Sequence, residues 1–123
     1  MHYIISLFLV FTSSFLAFNS EQGDPMFTAE QLTKSKALIE QFSEKDIAAV
    51  DAALIYKQNC ASCHGRKGGL GLAGATNLKT SALSLEERVA TIYFGKNKMQ
   101  SYKEALKTNE LVAVAEYLES LRK

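Results

Sequence analysis

Two thiols and an imidazole fall within five consecutive residues, Cys60-Ala61-Ser62-Cys63-His64. Thiols three positions apart can add across the two vinyl groups of one porphyrin. The neighbouring histidine can then take an axial position on the iron. This Cys-x-x-Cys-His spacing is the c-type haem attachment pattern. Other chemistry is open to the same residue types. A structural zinc site takes four Cys or His ligands, usually in two pairs, but this chain has two cysteines and, besides His64, only His2. A thioredoxin-like redox pair sits in a βαβ context, and the sequence shows no strand–helix alternation. A disulfide closing so small a ring restrains little chain entropy. Haem is the reading that the counts support best.

One axial position remains after His64. Met1 and His2 lie in an apolar leader, and Met26 follows the single proline, Pro25. Met99 is left, in the polar stretch Gly95-Lys96-Asn97-Lys98-Met99-Gln100. Burying a thioether within a charged loop needs a reason of its own, and we read Met99 as the second axial ligand. The alternatives for Met99 are core filling and plain surface exposure.

These residues need elements to hold them. Residues 1–18 include the uncharged apolar run Tyr3 to Phe18. That run is short for a membrane span and suits the core of a signal peptide, with an uncleaved anchor as the alternative. Residues 19–27 read as a polar linker. Residues 28–123 then form one domain, and helical signals dominate it. Thr28-Ala29-Glu30-Gln31 is a capping-box pattern, opening a helix over 28–42. Ser43-Glu44-Lys45-Asp46 opens a second helix, expected to run unbroken to Cys60. Gly65 to Ser81 holds five of the seven glycines, together with Leu70, Leu72 and Leu78, and reads as a loop wrapped around something flat. Ser84-Leu85-Glu86-Glu87 is another capping box, on a helix stopped by Gly95. A last helix starts near Thr108, with Leu111, Val114, Ala115, Leu118 and Leu121 at helical spacing.

In that order the chain resembles the class I (monohaem) cytochrome c family over about Asp46 to Leu121. A helix runs into the Cys-x-x-Cys-His motif, a glycine-rich loop follows, a methionine loop comes after a glycine, and a final helix carries an aromatic. The family packs a small residue eight before the first cysteine and an aromatic four before it against the last helix. Here those are Ala52 and Tyr56, with Val114 and Tyr117 as expected partners. Family members usually have glycine at the crossing and proline after the methionine, where this chain has Ala52 and Gln100. The 28–42 helix is extra to the 46–121 core.

The resemblance implies an all-α, cytochrome c-like helical domain wrapped around one covalent haem c. Cys60 and Cys63 would supply the thioethers, and His64 and Met99 the iron ligands. It also implies a one-electron carrier between respiratory or periplasmic redox partners, and not an enzyme. Two alternatives stand beside this reading. One is a haem gas sensor or small peroxidase with a displaceable sixth ligand. The other is a dedicated electron-transfer subunit of one oxidoreductase. Either reading of the leader places the domain outside the cytoplasm, with membrane contact if the leader stays attached.

Formal net charge is +1, and its distribution is uneven. Residues 21–59 carry four basic and seven acidic side chains, while 60–123 carry ten and six. Arg66, Lys67, Lys96, Lys98 and Lys103 flank the two ligand loops and could steer a redox partner with an acidic docking surface. So small a net charge argues against nucleic-acid binding. A domain of about 100 residues is marginal without help, so the haem-free chain is expected to be largely unfolded.

Overall fold

The computed structural model describes residues 25–123. The leader, and residues 19–24 of the expected linker, lie outside the described residues. The fold is all-α. Among the described residues six α-helices run in order: α1 (Ala29–Ile39), α2 (Glu44–Ala48), α3 (Ala52–Asn59), α4 (Ala61–His64), α5 (Leu85–Phe94) and α6 (Thr108–Tyr117). Short 3-10 turns cover Leu72–Gly74, Leu78–Thr80 and Leu118–Leu121. No helix among the described residues is long and apolar enough to cross a membrane.

The capping boxes start helices where the sequence places them. The Thr28 hydroxyl accepts from the Gln31 N–H at 3.1 Å, and the Gln31 side chain returns the bond at 3.0 Å. Ser84 and Glu87 do the same for α5 at 3.2 and 2.8 Å. Each box satisfies two of the N–H groups that a helix start leaves without partners.

The expected unbroken helix from Ser43 to the cysteine motif is corrected to two. Ser43 and Asp46 cap α2, but the chain turns after Ala49, and the Val50 N–H donates to the Ile47 carbonyl at 3.0 Å. The Asp51 carboxylate then accepts from the Leu54 N–H at 3.0 Å and starts α3 afresh. An aspartate ahead of Ala52-Ala53-Leu54 is a good N-cap. Its signal is hidden in the sequence by the surrounding alanines, which suit a continuous helix equally well.

The core forms where α5 and α6 cross. Val89, Ala90, Val112, Val114 and Ala115 have no exposed surface. Leu111 to Ala115 are buried in succession, because α6 meets α1, α2, α3 and α5 on different sides. The extra helix α1 packs along α5, burying Leu38 and Ser35. Tyr56 of α3 is 2% exposed, and its ring meets that of Tyr117 at 5.5 Å between centroids. Ala52 lines a shallow hollow with Ala113 and Tyr117 beside this pair.

Candidate haem site

Cys60 closes α3 and opens α4, so the reactive motif is the single turn that follows the helix anchored by the buried Tyr56. The Cys60 carbonyl accepts from the Cys63 N–H at 3.2 Å and from the His64 N–H at 3.0 Å. This turn puts the two sulfurs on one side, since positions three apart on a helix are neighbours. Both are free thiols, Cys60 half-buried and Cys63 exposed. Burial pushes the Cys60 thiol up to about 11. A Cys-x-x-Cys redox pair needs the opposite shift, toward thiolate. Among the described residues no cluster of three or more His, Cys, Asp or Glu side chains could hold a metal ion by itself.

The His64 imidazole is fixed by the glycine-rich loop. Its Nδ1 lies 3.0 Å from the Thr76 carbonyl oxygen. A carbonyl only accepts, so Nδ1 carries the proton and the Nε2 lone pair is left to a ligand. Iron- and zinc-binding histidines are held in this way. The loop reverses at Gly65, whose φ of +81° is available to glycine, and a β-carbon there would stand 2.7 Å from the Leu70 Cβ. The Leu70 N–H closes the turn on the His64 carbonyl at 2.9 Å.

From below, the Tyr56 hydroxyl donates to the Gly65 carbonyl at 2.7 Å. Burial, with smaller contributions from Cys60 and Tyr117, pushes this phenol up to about 12, so it stays a donor. The aromatic that the resemblance assigns to helix packing therefore also braces the turn after His64.

Met99 is half-buried and packs against the core cluster with Tyr93 and Tyr102. It ends a two-residue reversal in which Lys96 and Met99 exchange backbone hydrogen bonds of 3.0 and 2.9 Å, with Asn97 at φ +53°. Past Met99, the Ser101 hydroxyl donates to the Tyr93 carbonyl at 2.6 Å, and the Tyr102 N–H to the Ile92 carbonyl at 2.9 Å. The Tyr102 hydroxyl donates to the Asn59 carbonyl at 3.0 Å. Burial raises the Tyr102 phenol above its ordinary value.

The residues present fit a haem. Two unpaired sulfurs and a pre-oriented imidazole share one helical turn. The loop beyond them presents Leu70 and Leu72 at 60% and 56% exposure, apolar surface of the kind that a flat macrocycle covers.

Of the five cations expected around the two loops, Arg66, Lys67, Lys98 and Lys103 are exposed. Lys96 is half-buried and already engaged. Its ammonium donates to the Met26 carbonyl at 2.9 Å and lies 4.9 Å from the centroid of the buried Phe27 ring.

Three groups escaped sequence reasoning. Thr76 acts through its backbone carbonyl, which no residue type announces. Tyr102 carries a signal, an aromatic three residues after Met99. Arg88 is 8% exposed on the apolar face of α5, where an arginine interrupts the Leu85, Val89, Ile92 stripe. Its guanidinium donates to the carbonyls of Leu83 and Ala115 at 3.1 and 3.0 Å and to the Glu119 carboxylate.

The family described as cytochrome c oxidase, cbb3-type, subunit III, matches residues 47–118, more than half of the chain. Cytochrome c6 of Anabaena variabilis is 36% identical over 78 residues, covering 57% of this chain and 87% of the relative. Cytochrome c6 of a Nostoc species is 38% identical over 86 residues, covering 63% of this chain and 76% of the relative.

Proposed function

The chain belongs to the class I, monohaem cytochrome c family and is a haem-based electron carrier, and we propose that it works through one haem c joined to Cys60 and Cys63. In this reading His64 and Met99 are the axial ligands. When bound, the group supplies a one-electron iron couple, which His/Met ligation holds at a raised potential. The observation that carries the proposal is the bond from His64 Nδ1 to the Thr76 carbonyl, which fixes the tautomer and aims the free nitrogen.

The chain's own residues do the rest. Tyr56 holds the turn after His64 through the Gly65 carbonyl, and Thr76 holds the imidazole itself. Leu70 and Leu72 exclude water from the ring they cover. With side chains on both axial positions no site for a substrate remains, so the protein carries electrons and does not catalyse. Arg66, Lys67, Lys98 and Lys103 face solvent and favour an acidic redox partner, with Lys96 withdrawn from that set. In this reading the apolar run within residues 1–18 is an export signal or an uncleaved anchor, which puts the domain in the periplasm or another extracytoplasmic space, in the second case at the membrane.

The test is the optical spectrum of the oxidised protein. Methionine ligation gives a weak far-red sulfur-to-iron band, which Met99→Ala abolishes if this reading holds. A band that survives the substitution contradicts it.

A second reading makes the chain an electron-entry subunit of a terminal oxidase, favoured by the description of the matching family. Co-purification with an oxidase in stoichiometric amount, through detergent and salt, separates a subunit from a free carrier.

A further inference from the structure

A thioether on iron is a weak bond at the tip of a loop, and the loop itself must limit its freedom. Proline after the methionine would do so by fixing φ, but the residue here is Gln100. The structure supplies other restraints. Gly95 lies against the backbone of Met99 to Ser101, and Ser101 and Tyr102 bond to the last turn of α5. These contacts tie the loop to α5 alone. None of them reaches the turn that carries Cys60, Cys63 and His64.

The Tyr102 hydroxyl reaches that turn. It donates at 3.0 Å to the carbonyl of Asn59, the last residue of α3 and the one before Cys60. Carbonyls of a last helical turn have no partner within the helix, so this bond fills a vacancy that α3 necessarily creates. The tyrosine backbone is held at the same time, its N–H by Ile92 and its carbonyl by the N–H groups of Ala105 and Leu106, each at 3.0 Å. A rigidly seated residue three positions beyond Met99 thus bonds to the residue one position before the first thioether cysteine.

We propose that Tyr102 is the positioning residue that keeps the Met99 sulfur on the iron, its phenol clamping the methionine loop to the haem-attachment helix in place of the missing proline. The proposal rests on the reading of Met99 as a ligand. It also gives the chain a means of resisting added ligands, as a carrier must and a sensor must not.

The experiment is imidazole titration of the oxidised holoprotein, followed by absorbance, for wild type, Tyr102→Phe, Met99→Ala and the double variant. Phenylalanine keeps the ring and removes one hydrogen bond. Imidazole binding should tighten roughly 3- to 10-fold in Tyr102→Phe, the range that one such bond covers. In the Met99→Ala background the same substitution should leave binding unchanged, because no sulfur is left to displace. Equal affinity in wild type and Tyr102→Phe overturns the proposal, as does an equal change in both backgrounds, which marks a merely structural effect. Failure of the Met99 reading looks different: Met99→Ala alone would alter neither the far-red band nor imidazole affinity.

A second measurement needs no variant. Coupling between two sites is reciprocal, so displacing Met99 with imidazole should speed solvent exchange of the Tyr102 hydroxyl proton seen by NMR. Unchanged exchange overturns the clamp.

Discussion

A β-carbon at Gly95 would stand 2.7 Å from the Met99 carbonyl oxygen, so the residue that ends α5 also sets how closely the methionine loop folds back. The same atom would meet the Ser101 nitrogen at 2.7 Å and the Gln100 carbonyl carbon at 2.9 Å, and φ here is +76°. All three obstacles are backbone and cannot rotate aside. Gly95→Ala should cost about 1–3 kcal/mol and weaken the far-red band. Thermal unfolding and the oxidised spectrum measure both. An unchanged Tm would show that the loop has slack.

Tyr56→Phe keeps the ring against Tyr117 and removes the bond to the Gly65 carbonyl. A loss of about 1 kcal/mol is expected, read by denaturant unfolding of the holoprotein.

Arg88→Met keeps the aliphatic volume but leaves the carbonyls of Leu83 and Ala115 without their donor. The expected loss is about 2 kcal/mol. Glu119 adds a pH signature. Hydrogen bonds from Arg122, and then from Arg88, hold its carboxyl below the ordinary glutamate value despite some opposing desolvation. A depressed carboxyl contributes stability above its unfolded value and loses it as pH falls through the folded one. The Tm gap between wild type and Glu119→Gln should therefore be present at neutral pH and close in acid. A gap independent of pH would contradict this.

Lys96 and Lys98 should behave differently although they are two residues apart. Lys96→Met removes the contacts to Met26 and Phe27 and should lower Tm, at a cost of about 0.5–1 kcal/mol for the cation–π part. Lys98→Met should leave Tm alone and flatten the salt dependence of electron transfer to an acidic partner. Stopped-flow rates at several ionic strengths, set beside the melting curves, distinguish the two.

What the sequence discloses, and what it hides, follows from the range of each interaction. The starts of α1 and α5 are legible because a capping box is complete within four residues. The end of α5 is legible because Gly95 alone accepts that φ. The haem motif is legible because its chemistry is also local. The break at Asp51 is not, since alanines on either side suit one helix or two. Arg88 reads as a flaw in an apolar stripe until Ala115 and Glu119, on a different helix and the turn after it, come beside it. The partners of His64 and Tyr102 are backbone carbonyls, supplied by any residue, so no sequence pattern can point to them. In the sequence Lys96 shows only its charge, and the Phe27 ring that captures it lies sixty-nine positions earlier in the chain, a distance over which no local pattern speaks.

Two further measurements address the cofactor. Far-ultraviolet dichroism of the haem-free Cys60→Ala/Cys63→Ala chain should show most of the helicity lost, because a domain of this size is marginal without the buried ring. The more direct one is the intact mass of the protein made in a host able to mature c-type haem proteins. The mass should exceed that of the polypeptide by one haem, and the double alanine variant should lose the addition. A colourless product with the unmodified polypeptide mass would contradict the account at its root.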